Sequence, residues 1–540
     1  MKNIKNNFNK RKSLKTAGKL ITLAAAATLS SQAAAFQLDF DNREMTGYVD
    51  TTVSFSTAMA LTNANGRNTS SASGRQQIFD NSGDIYSAPF SVLTDVGINY
   101  RDMGFFARAG YIYDFALMDG ANACSSGLCN EGPVAGQMDG ISEEAREEAN
   151  RFRLYDFFVY KNFDIDGRGL NVRVGKQVIN WGESNFAGGG ITQAINPVDL
   201  GKATTPGSEV KERLLPQEMV YANYELSDTM SLEAFYIWNW RRTEFLPVGT
   251  FFSPFDYQGE GDNPQLAGRT NVASDNPDRG GQYGIALHTI LEDFDEMDLG
   301  FYYTRTHAHL PYMQAFTNNT YRTVYAEDQD TYAVSLNGEV GSTGISFQTE
   351  LNYKPDFWDT RACINSHGLV DPSVYPATTP SPGCGIEAGD VTTLLGAMTY
   401  VGGKPLFGAD KQAYIIDMAA VWISGLDHPN VGKPHVEAVD QLDRDVNDFA
   451  FGYTAVASYT YNNLFWNLNV NPVFVFRHDV EGKMPFNNGA MTEEQRIIKV
   501  GVTFDYQSTM SLNVAATKWV SEDGTWGDRD NVAATFKYSF

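Results

Sequence analysis

Apolar and polar residues alternate with a period of two along most of the chain. The pattern is clearest at the C-terminus, where Val532, Ala534, Phe536, Tyr538 and Phe540 fall on one face and polar or small residues on the other. Such alternation predicts a half-buried β-strand, which would suit a soluble β-sandwich or a membrane barrel. A last strand that ends in a free Phe is typical of outer-membrane barrels, so we assign Phe536, Tyr538 and Phe540 to barrel closure and assembly.

The alternating stretches are separated by a regular sequence of tight turns and long polar loops. The first stretch runs over residues 49–61, and a hairpin follows over residues 90–113 with its turn at Arg101 to Gly104. Continuing in this way gives eighteen strands, with sixteen as the alternative. The sequence therefore predicts an all-β, antiparallel up-and-down transmembrane barrel with long extracellular loops and both termini in the periplasm.

The N-terminus reads as a targeting segment rather than as part of the fold. Seven Lys and Arg residues precede the short apolar run of residues 20–29, and the small residues 33–35 stand before a predicted cut ahead of Phe36. We therefore expect residues 1–35 to be a signal peptide and residues 36–540 to form a single barrel domain. The run is too short to span a bilayer as a helix, which needs about 20 apolar residues.

Charge excludes one class of partner and the cysteines indicate a compartment. Without the seven basic residues of the predicted signal, 34 Lys and Arg stand against 65 Asp and Glu, for a net charge of −31. Nucleic-acid binding needs a basic surface, so we expect no nucleic-acid partner.

The four cysteines of the chain suit an oxidising compartment. Three disulfide connectivities exist, and we favour Cys124–Cys129 with Cys363–Cys384 because each bond then closes a loop within one segment.

One long loop, Gly182 to Pro216, differs from the other loops, which are rich in Asn, Asp and Ser. It combines a Gly triplet with apolar residues and a charged cluster. Because apolar residues must pack against something, we expect this loop to fold into the lumen as a constriction, although an ordinary surface loop remains the alternative. The candidate lumen residues are Arg173, Asn180, Trp181, Glu183, Asn196, Pro197, Asp199, Glu209, Lys211, Glu212 and Arg213.

More detailed contacts follow from this interpretation. Ile191, Ile195 and Val198 are expected to cover apolar wall residues. The charged cluster of residues 209–213 is expected to pair with wall groups such as Arg173 and Glu183. His307 and His309 form a close pair that a metal could use, but without a third ligand we favour polar strand-end residues. No catalytic or phosphate-binding motif occurs, so we expect no enzyme, no metal and no cofactor.

Four stretches carry a resemblance to a known family: VRVGKQVINWGESNF (172–186), INPVD (195–199), PGSEVKERLLP (206–216) and SLEAFYIWNWRRTEFLPVGTFFSP (231–254). They resemble the family called domain of unknown function 1302. The resemblance implies an outer-membrane barrel of Gram-negative bacteria. It also implies, through gene neighbourhood, a periplasmic lipid-carrier-like protein and an inner-membrane pump as partners, beside the barrel-assembly machinery and outer-membrane lipids.

Three functions are compatible with these observations. The first is a conduit that moves a hydrophobic or lipid-like small molecule across the outer membrane. The second is a general porin for hydrophilic solutes, and the third is a barrel enzyme that modifies lipids. An apolar lumen would favour the first, a continuous wet channel the second, and a Ser–His–acid cluster the third.

Overall fold

A computed structural model describes most of the chain from Phe36 onward. The described residues are 36–64, 78–120, 143–182, 189–247, 249–253, 265–266, 269–271, 274, 276–315, 320–359, 386–402, 405–424, 448–482, 491–521 and 526–540. The predicted signal peptide and the four cysteines, Cys124, Cys129, Cys363 and Cys384, lie outside these ranges. No helix in the described ranges is both long and apolar enough to cross a membrane.

Eighteen strands in the described part of the chain form one closed antiparallel barrel, which confirms the predicted fold class and strand number. In chain order they are β1 (Met45–Ala60), β2 (Pro89–Tyr100), β3 (Met103–Asp114), β4 (Asn150–Ile165), β5 (Arg168–Gln177), β6 (Gln217–Glu225), β7 (Met230–Asn239), β8 (Gln282–Leu291), β9 (Met297–Thr306), β10 (Gln329–Glu339), β11 (Ile345–Asp359), β12 (Ile386–Val401), β13 (Lys411–Ser424), β14 (Phe449–Phe465), β15 (Leu468–Glu481), β16 (Arg496–Tyr506), β17 (Met510–Val520) and β18 (Asn531–Ser539).

The barrel closes where the last strand meets the first. Strand β18 pairs antiparallel with β1, with Phe536 opposite Phe55, and the pairing continues to the chain end. There the Phe540 amide donates to the Thr51 carbonyl (2.9 Å) and the Thr51 amide donates to the Phe540 carbonyl (2.8 Å). No edge of the sheet is left open, which is the condition for placing strands in lipid.

Several short helices, helical turns and short strands accompany the eighteen barrel strands. The helices are α1 (Glu143–Ala149), α2 (Ile191–Ile195) and α3 (Leu200–Thr204), with a π-helical turn at Ala116–Gly120 and 3-10 turns at Val210–Glu212 and Leu406–Gly408. Two short strands, Phe36–Leu38 and Ile85–Ser87, pair with β1. A separate four-stranded sheet is built from Gln265–Leu266, Arg269–Asn271, Tyr312–Ala315 and Thr320–Val324.

Tight turns lie at one rim of the barrel and long connections at the other. Arg101 (φ 52°) turns β2 into β3, and Asp166 (φ 53°) with Gly167 (φ 81°) turns β4 into β5. Left-handed residues suit such hairpins because the twist of the turn then matches the twist of the strands. The first residue of β1, Met45, is opposite Tyr100, and Tyr538 near the end of β18 is opposite Met510, so both barrel ends of the described chain lie toward the rim of the tight turns.

The outward face of the wall is apolar and open to its surroundings. Phe152 is 69% exposed, Val159 54% and Val500 56%. A soluble monomer does not expose so extensive an apolar surface, whereas lipid covers it in a membrane barrel. The outward face of β18 contributes Phe536, Tyr538 and Phe540 to this surface.

Phe540→Ser is expected to impair assembly more than the finished barrel. Burial of one large apolar side chain contributes about 1.5–3 kcal/mol, and Phe540 is 41% exposed to the space that lipid fills. The backbone pairing with Thr51 does not depend on the ring. Membrane-inserted protein in cells should therefore fall several-fold, while purified, refolded variant should keep heat-modifiable migration; wild-type surface levels would contradict this expectation.

Candidate functional site

The constriction segment, residues 182–216, leaves the wall after β5 and returns to it at β6; it is described from Gly189 onward. Gly189 adopts a left-handed conformation (φ 95°) that lets the chain turn into α2. Ile191 and Ile195 on α2 are fully buried against wall residues that include Phe235, Tyr302 and Ala333. The segment therefore packs inside the barrel, as expected from its apolar content.

Polar contacts fix this first end of the segment to the wall. Trp181 donates through Nε1 to Glu233 of β7 (2.6 Å), and the Ile191 amide donates to Oε1 of Glu350 on β11 (2.8 Å). Asn196 is 1% exposed and donates to the carbonyl of Ile179 (2.6 Å). This hydrogen bond joins the end of α2 to the chain that follows β5. Its neighbours bind within the segment: Asn180 accepts from Thr192 (3.3 Å), and the Pro197 carbonyl accepts from the Leu215 amide (2.8 Å).

The second end of the segment contacts the opposite side of the barrel. Lys211 binds Asp95 on β2 (3.2 Å), and Lys537 on β18 binds Glu209 (3.6 Å). Gly207 lies so close to β1 that a Cβ atom there would stand 2.4 Å from Oγ of Ser56. The segment thus crosses the lumen from β11 to the seam between β1 and β18.

The expected pairing of residues 209–213 with Arg173 is wrong. Arg173 binds Asn171 (3.1 Å) and lies over the rings of Phe158 and Tyr221. Glu212 is instead buried with Lys202 of α3 at 2.9 Å. The physical reason is that the segment spans the full lumen, so its charged end meets the wall far from β5. Glu183, the other expected partner, lies outside the described residues.

A second inward segment, which the sequence reading missed, lies over the first. This overlying segment, residues 240–253, connects β7 towards β8, and its backbone pairs with the constriction segment through Glu244 and Val198 (2.9 Å). Phe251 is 2% exposed and stacks on Tyr86 with ring centroids 4.0 Å apart. Its sequence, FLPVGTFFSP after residue 244, has the same mixture of apolar residues, Gly and Pro that marked the first segment.

Six buried or half-buried charges hold the two segments to β4. This charge cluster consists of Arg151, Arg153 and Arg241 with Glu148, Asp199 and Glu244. Oδ2 of Asp199 lies 2.8 Å from Nη1 of Arg153 and 3.2 Å from Nη2 of Arg151. Asp199 also caps α3, since its Oδ1 accepts from the Lys202 amide at 2.8 Å. One carboxylate thus ties a helix of the segment to two wall arginines.

The electrostatics of the charge cluster favour ion pairing over metal binding. Burial alone would raise the pKa of Glu244, but Arg153 and Arg241 outweigh it and hold the pKa at about 2. Oxygens of Glu148, Asp199 and Glu244 lie within 4.8 Å of one another, as a cation site would require. Three guanidinium groups already neutralise them, so we assign the three carboxylates a structural role.

The two neighbouring histidines contact the backbone. His309 lies between the carbonyls of Arg241 (2.8 Å) and Ile195 (3.0 Å), one from each inward segment. Burial lowers the pKa of His309 to about 4, so the ring is neutral near pH 7 and donates to one of the two carbonyls. His307 accepts from the Asp328 amide and contacts the Gly280 carbonyl (3.0 Å). Both rings thus contact backbone groups beyond the end of β9.

A small cavity lies on one side of the barrel interior, and a row of apolar side chains lies on another part of the wall. Between α1, α3 and the overlying segment lies a cavity of ≈70 Å³, which has room for a few water molecules only. On the wall from β13 to β15, the register places Ile415 beside Val456 and Val456 beside Val475. These three side chains point into the barrel, on the same face as the buried Asp417 and Asp479. We call them the apolar row.

Comparison with known proteins supplies a family and a fold-level likeness. A protein-family model described as protein of unknown function (DUF1302) matches residues 16–540. Curated proteins give no match. Among solved structures, Pseudomonas aeruginosa OccK5 (OpdH) is 9% identical (92% of this chain, 98% of that chain, TM-score 0.42).

Two other solved structures give similar values. The outer-membrane channel DcaP of Acinetobacter baumannii is 10% identical (93% of this chain, 99% of that chain, TM-score 0.37). A BenF-like porin from Pseudomonas fluorescens Pf-5 is also 10% identical (92% of this chain, 98% of that chain, TM-score 0.42).

Proposed function

The chain belongs to the DUF1302 family, a family of unknown function, and from its lumen we propose that it is an outer-membrane channel for a hydrophobic or lipid-like small molecule. The observation that carries the proposal is the pairing of an obstructed lumen with an apolar inner wall. A general porin keeps a water-filled polar lumen. Here the constriction segment crosses the interior with the overlying segment paired to it, and the apolar row faces inward.

The obstruction supports selective rather than general passage. On the side of the charge cluster, α1, α3 and the overlying segment line a cavity of ≈70 Å³. We infer that the path for a cargo runs along the wall from β13 to β16, because this wall carries the apolar row. A hydrophobic molecule that leaves water for such a path gains about 25 cal/mol per Å² of apolar surface removed from water.

The inward wall residues next to the apolar row, on the side of the tight turns, support the same class of cargo. The register places Val473 beside Gly501 and Gly501 beside Ala515, all on the inward face. Small and apolar side chains leave room for an organic molecule and offer it no hydrogen bonds. We infer that a non-polar part of the cargo lies here.

Uptake by intact cells tests the proposal. Cells that produce the wild-type protein should take up the hydrophobic fluorophore N-phenyl-1-naphthylamine several-fold faster than cells without it, because their lipopolysaccharide surface otherwise slows the probe. Uptake of the hydrophilic chromogenic cephalosporin nitrocefin, read by periplasmic hydrolysis, should not rise. The opposite result would support a general porin and overturn the proposal.

Two double variants test whether the cargo passes along the apolar row. Val456→Asn with Val475→Asn should reduce uptake of the hydrophobic probe by at least three-fold, since each change adds an amide that an apolar cargo cannot satisfy. Val456→Ala with Val475→Ala is the matched control and should retain most of the uptake. Equal uptake by both double variants, at equal amounts of folded barrel, would contradict a path along the apolar row.

A further inference from the structure

The pairing of β14 with β15 is interrupted within the wall. From Gly452 the register runs evenly to Ser458 opposite Val473, and it resumes only at Tyr461 opposite Val470. The two neighbouring ladders, β13 with β14 and β15 with β16, pass the same level without a shift or a gap. Among these three ladders of the described wall, only the β14–β15 seam is interrupted.

Pro472 accounts for the gap in the β14–β15 seam. Continued evenly, the register would place Pro472 opposite Tyr459, and proline has no backbone N–H to donate across a ladder. On its other side, Pro472 keeps its place opposite Val502 of β16. Within lipid every backbone polar group needs a partner, and proline in a sheet is normally confined to edge strands and bulges. A proline inside a closed wall therefore weakens this seam at a defined point.

A second irregularity lies between the gap and the tight turn. The register shifts between Tyr461 and Phe465 of β14, and Asn463 in this stretch has a φ of 50°. A bulge of this kind leaves a residue unpaired and disrupts the ladder locally. The part of the seam that lies toward the tight turns therefore has few backbone pairs, and strands so joined separate at a lower free-energy cost than a regular ladder.

The side chains on both faces of this seam are apolar or small. On the lumen side, Val456 and Val475 of the apolar row face each other across the seam, next to the pair that precedes the gap. On the lipid side, Ala457 is opposite Phe474, which is 44% exposed. Gly501 of β16 lies beside Val473. A non-polar molecule that moves from the lumen face to the lipid face at these positions meets no charged group.

We propose that the hydrophobic cargo passes between the lumen and the surrounding lipid through the β14–β15 seam, beside Pro472. The proposal rests on the proposed channel function and deepens it, because it names the place where the cargo leaves the barrel. The interrupted part of the seam lies toward the tight turns, which face the periplasm in bacterial barrels. The cargo therefore enters the periplasmic leaflet, and its class narrows to molecules that partition into lipid.

A disulfide across the seam tests this lateral route. Ser458 and Val473 are directly opposite. Facing residues of an antiparallel pair have Cα atoms about 4.5–5.5 Å apart, within the range of about 4.4–6.8 Å that a disulfide spans. Ser458→Cys with Val473→Cys, oxidised in intact cells, should slow uptake of N-phenyl-1-naphthylamine at least three-fold. Dithiothreitol should restore the uptake, so the oxidised and reduced forms of one barrel are compared.

Thr503→Cys with Asn513→Cys is the matched control. The two residues are opposite each other in the regular β16–β17 ladder and are on the lumen face, like Ser458 and Val473. Its oxidised form should take up the probe within twofold of its reduced form. Wild-type cells given the same oxidant and reductant should also stay within twofold, which accounts for the four native cysteines.

Pro472→Val supplies the missing amide and tests the seam without a cross-link. The new N–H can donate to the Tyr459 carbonyl, so backbone pairing should continue through the gap. Amide hydrogen exchange over residues 457–462 should slow at least fivefold, and probe uptake should fall at least twofold. Heat-modifiable migration at the wild-type level shows that each variant has formed a closed barrel.

The outcomes separate the lateral route from the channel itself. If the oxidised Ser458→Cys, Val473→Cys barrel, with its disulfide verified by mass spectrometry, keeps the uptake of its reduced form, the lateral route is overturned while the channel stands. Slower exchange in Pro472→Val without slower uptake would also overturn the route. If wild-type cells take up the probe no faster than cells without the protein, the proposed channel fails, and the lateral route fails with it.

Discussion

Replacing residues 178–216 with a two-residue Asn-Gly turn is expected to raise single-channel conductance several-fold in planar bilayers. Gln177 and Gln217 are directly opposite each other in the β5–β6 pairing, so a tight turn can join the strands without distorting them. The deletion removes the chain that crosses from β11 to the β1–β18 seam. Ion flow should then be limited by the remaining loops rather than by the segment.

The deletion needs two controls, because a leaky or misfolded barrel would also conduct. Heat-modifiable migration should match wild type, which shows that the barrel has closed. Ile191→Asp with Ile195→Asp keeps the full chain but puts two carboxylates where the wall buries apolar side chains, a loss of about 1.5–3 kcal/mol for each side chain in addition to the cost of burying charge. This variant should show frequent brief openings. Wild-type conductance in both variants would mean that the segment does not limit the pore.

Asp199→Asn is expected to release the constriction segment while the barrel remains folded. Asp199 is 1% exposed and neutralises two arginines of β4, so removal of its charge leaves a buried excess of positive charge. Breaking a buried ion pair from one side costs about 3–5 kcal/mol. Amide hydrogen exchange over residues 189–216 should accelerate more than tenfold, with little change in the strands.

Glu209→Gln is the matched control for Asp199→Asn. It removes one carboxylate from the same segment, but Glu209 is 28% exposed and pairs with Lys211 (3.2 Å) and Lys537 (3.6 Å) at the partly exposed end of the segment. Ion pairs of this kind contribute about 0–1 kcal/mol. Exchange over the segment should therefore change by less than fivefold. Similar acceleration in the two variants would show that the charge cluster does not hold the segment.

The barrel was predictable from sequence because its signal is local. Inward and outward residues alternate within each strand, so β18 could be recognised from ten residues and matched to β1 by topology. The ends of the strands were less certain than their existence. The hairpin of β14 and β15, for example, turns at Trp466 and Asn467, both of which have positive φ. Asn462 and Asn463, which are typical turn residues, belong to β14 here.

The contacts inside the barrel were predictable only in part, because they depend on which strands of the wall the constriction segment reaches. The mixture of Gly and apolar residues located the constriction segment, and Ile191 and Ile195 pack as expected. The partners of its charged end are on β2 and β18, more than a hundred residues away in either direction. Only closure of the barrel brings those strands together, and no local pattern encodes it.

The crossing of the lumen ties the segment to the order in which the protein folds. Its far end is seated on β1 and β18, whose side chains Ser56 and Thr535 bind each other across 479 positions of sequence. This contact surface does not exist until β18 has paired with β1. Closure of the barrel and docking of the segment are therefore completed in the same step. Contacts of such sequence separation make folding slow. A chain still waiting for β18 exposes Ile191 and Ile195 to water and depends on chaperones to keep them from aggregating.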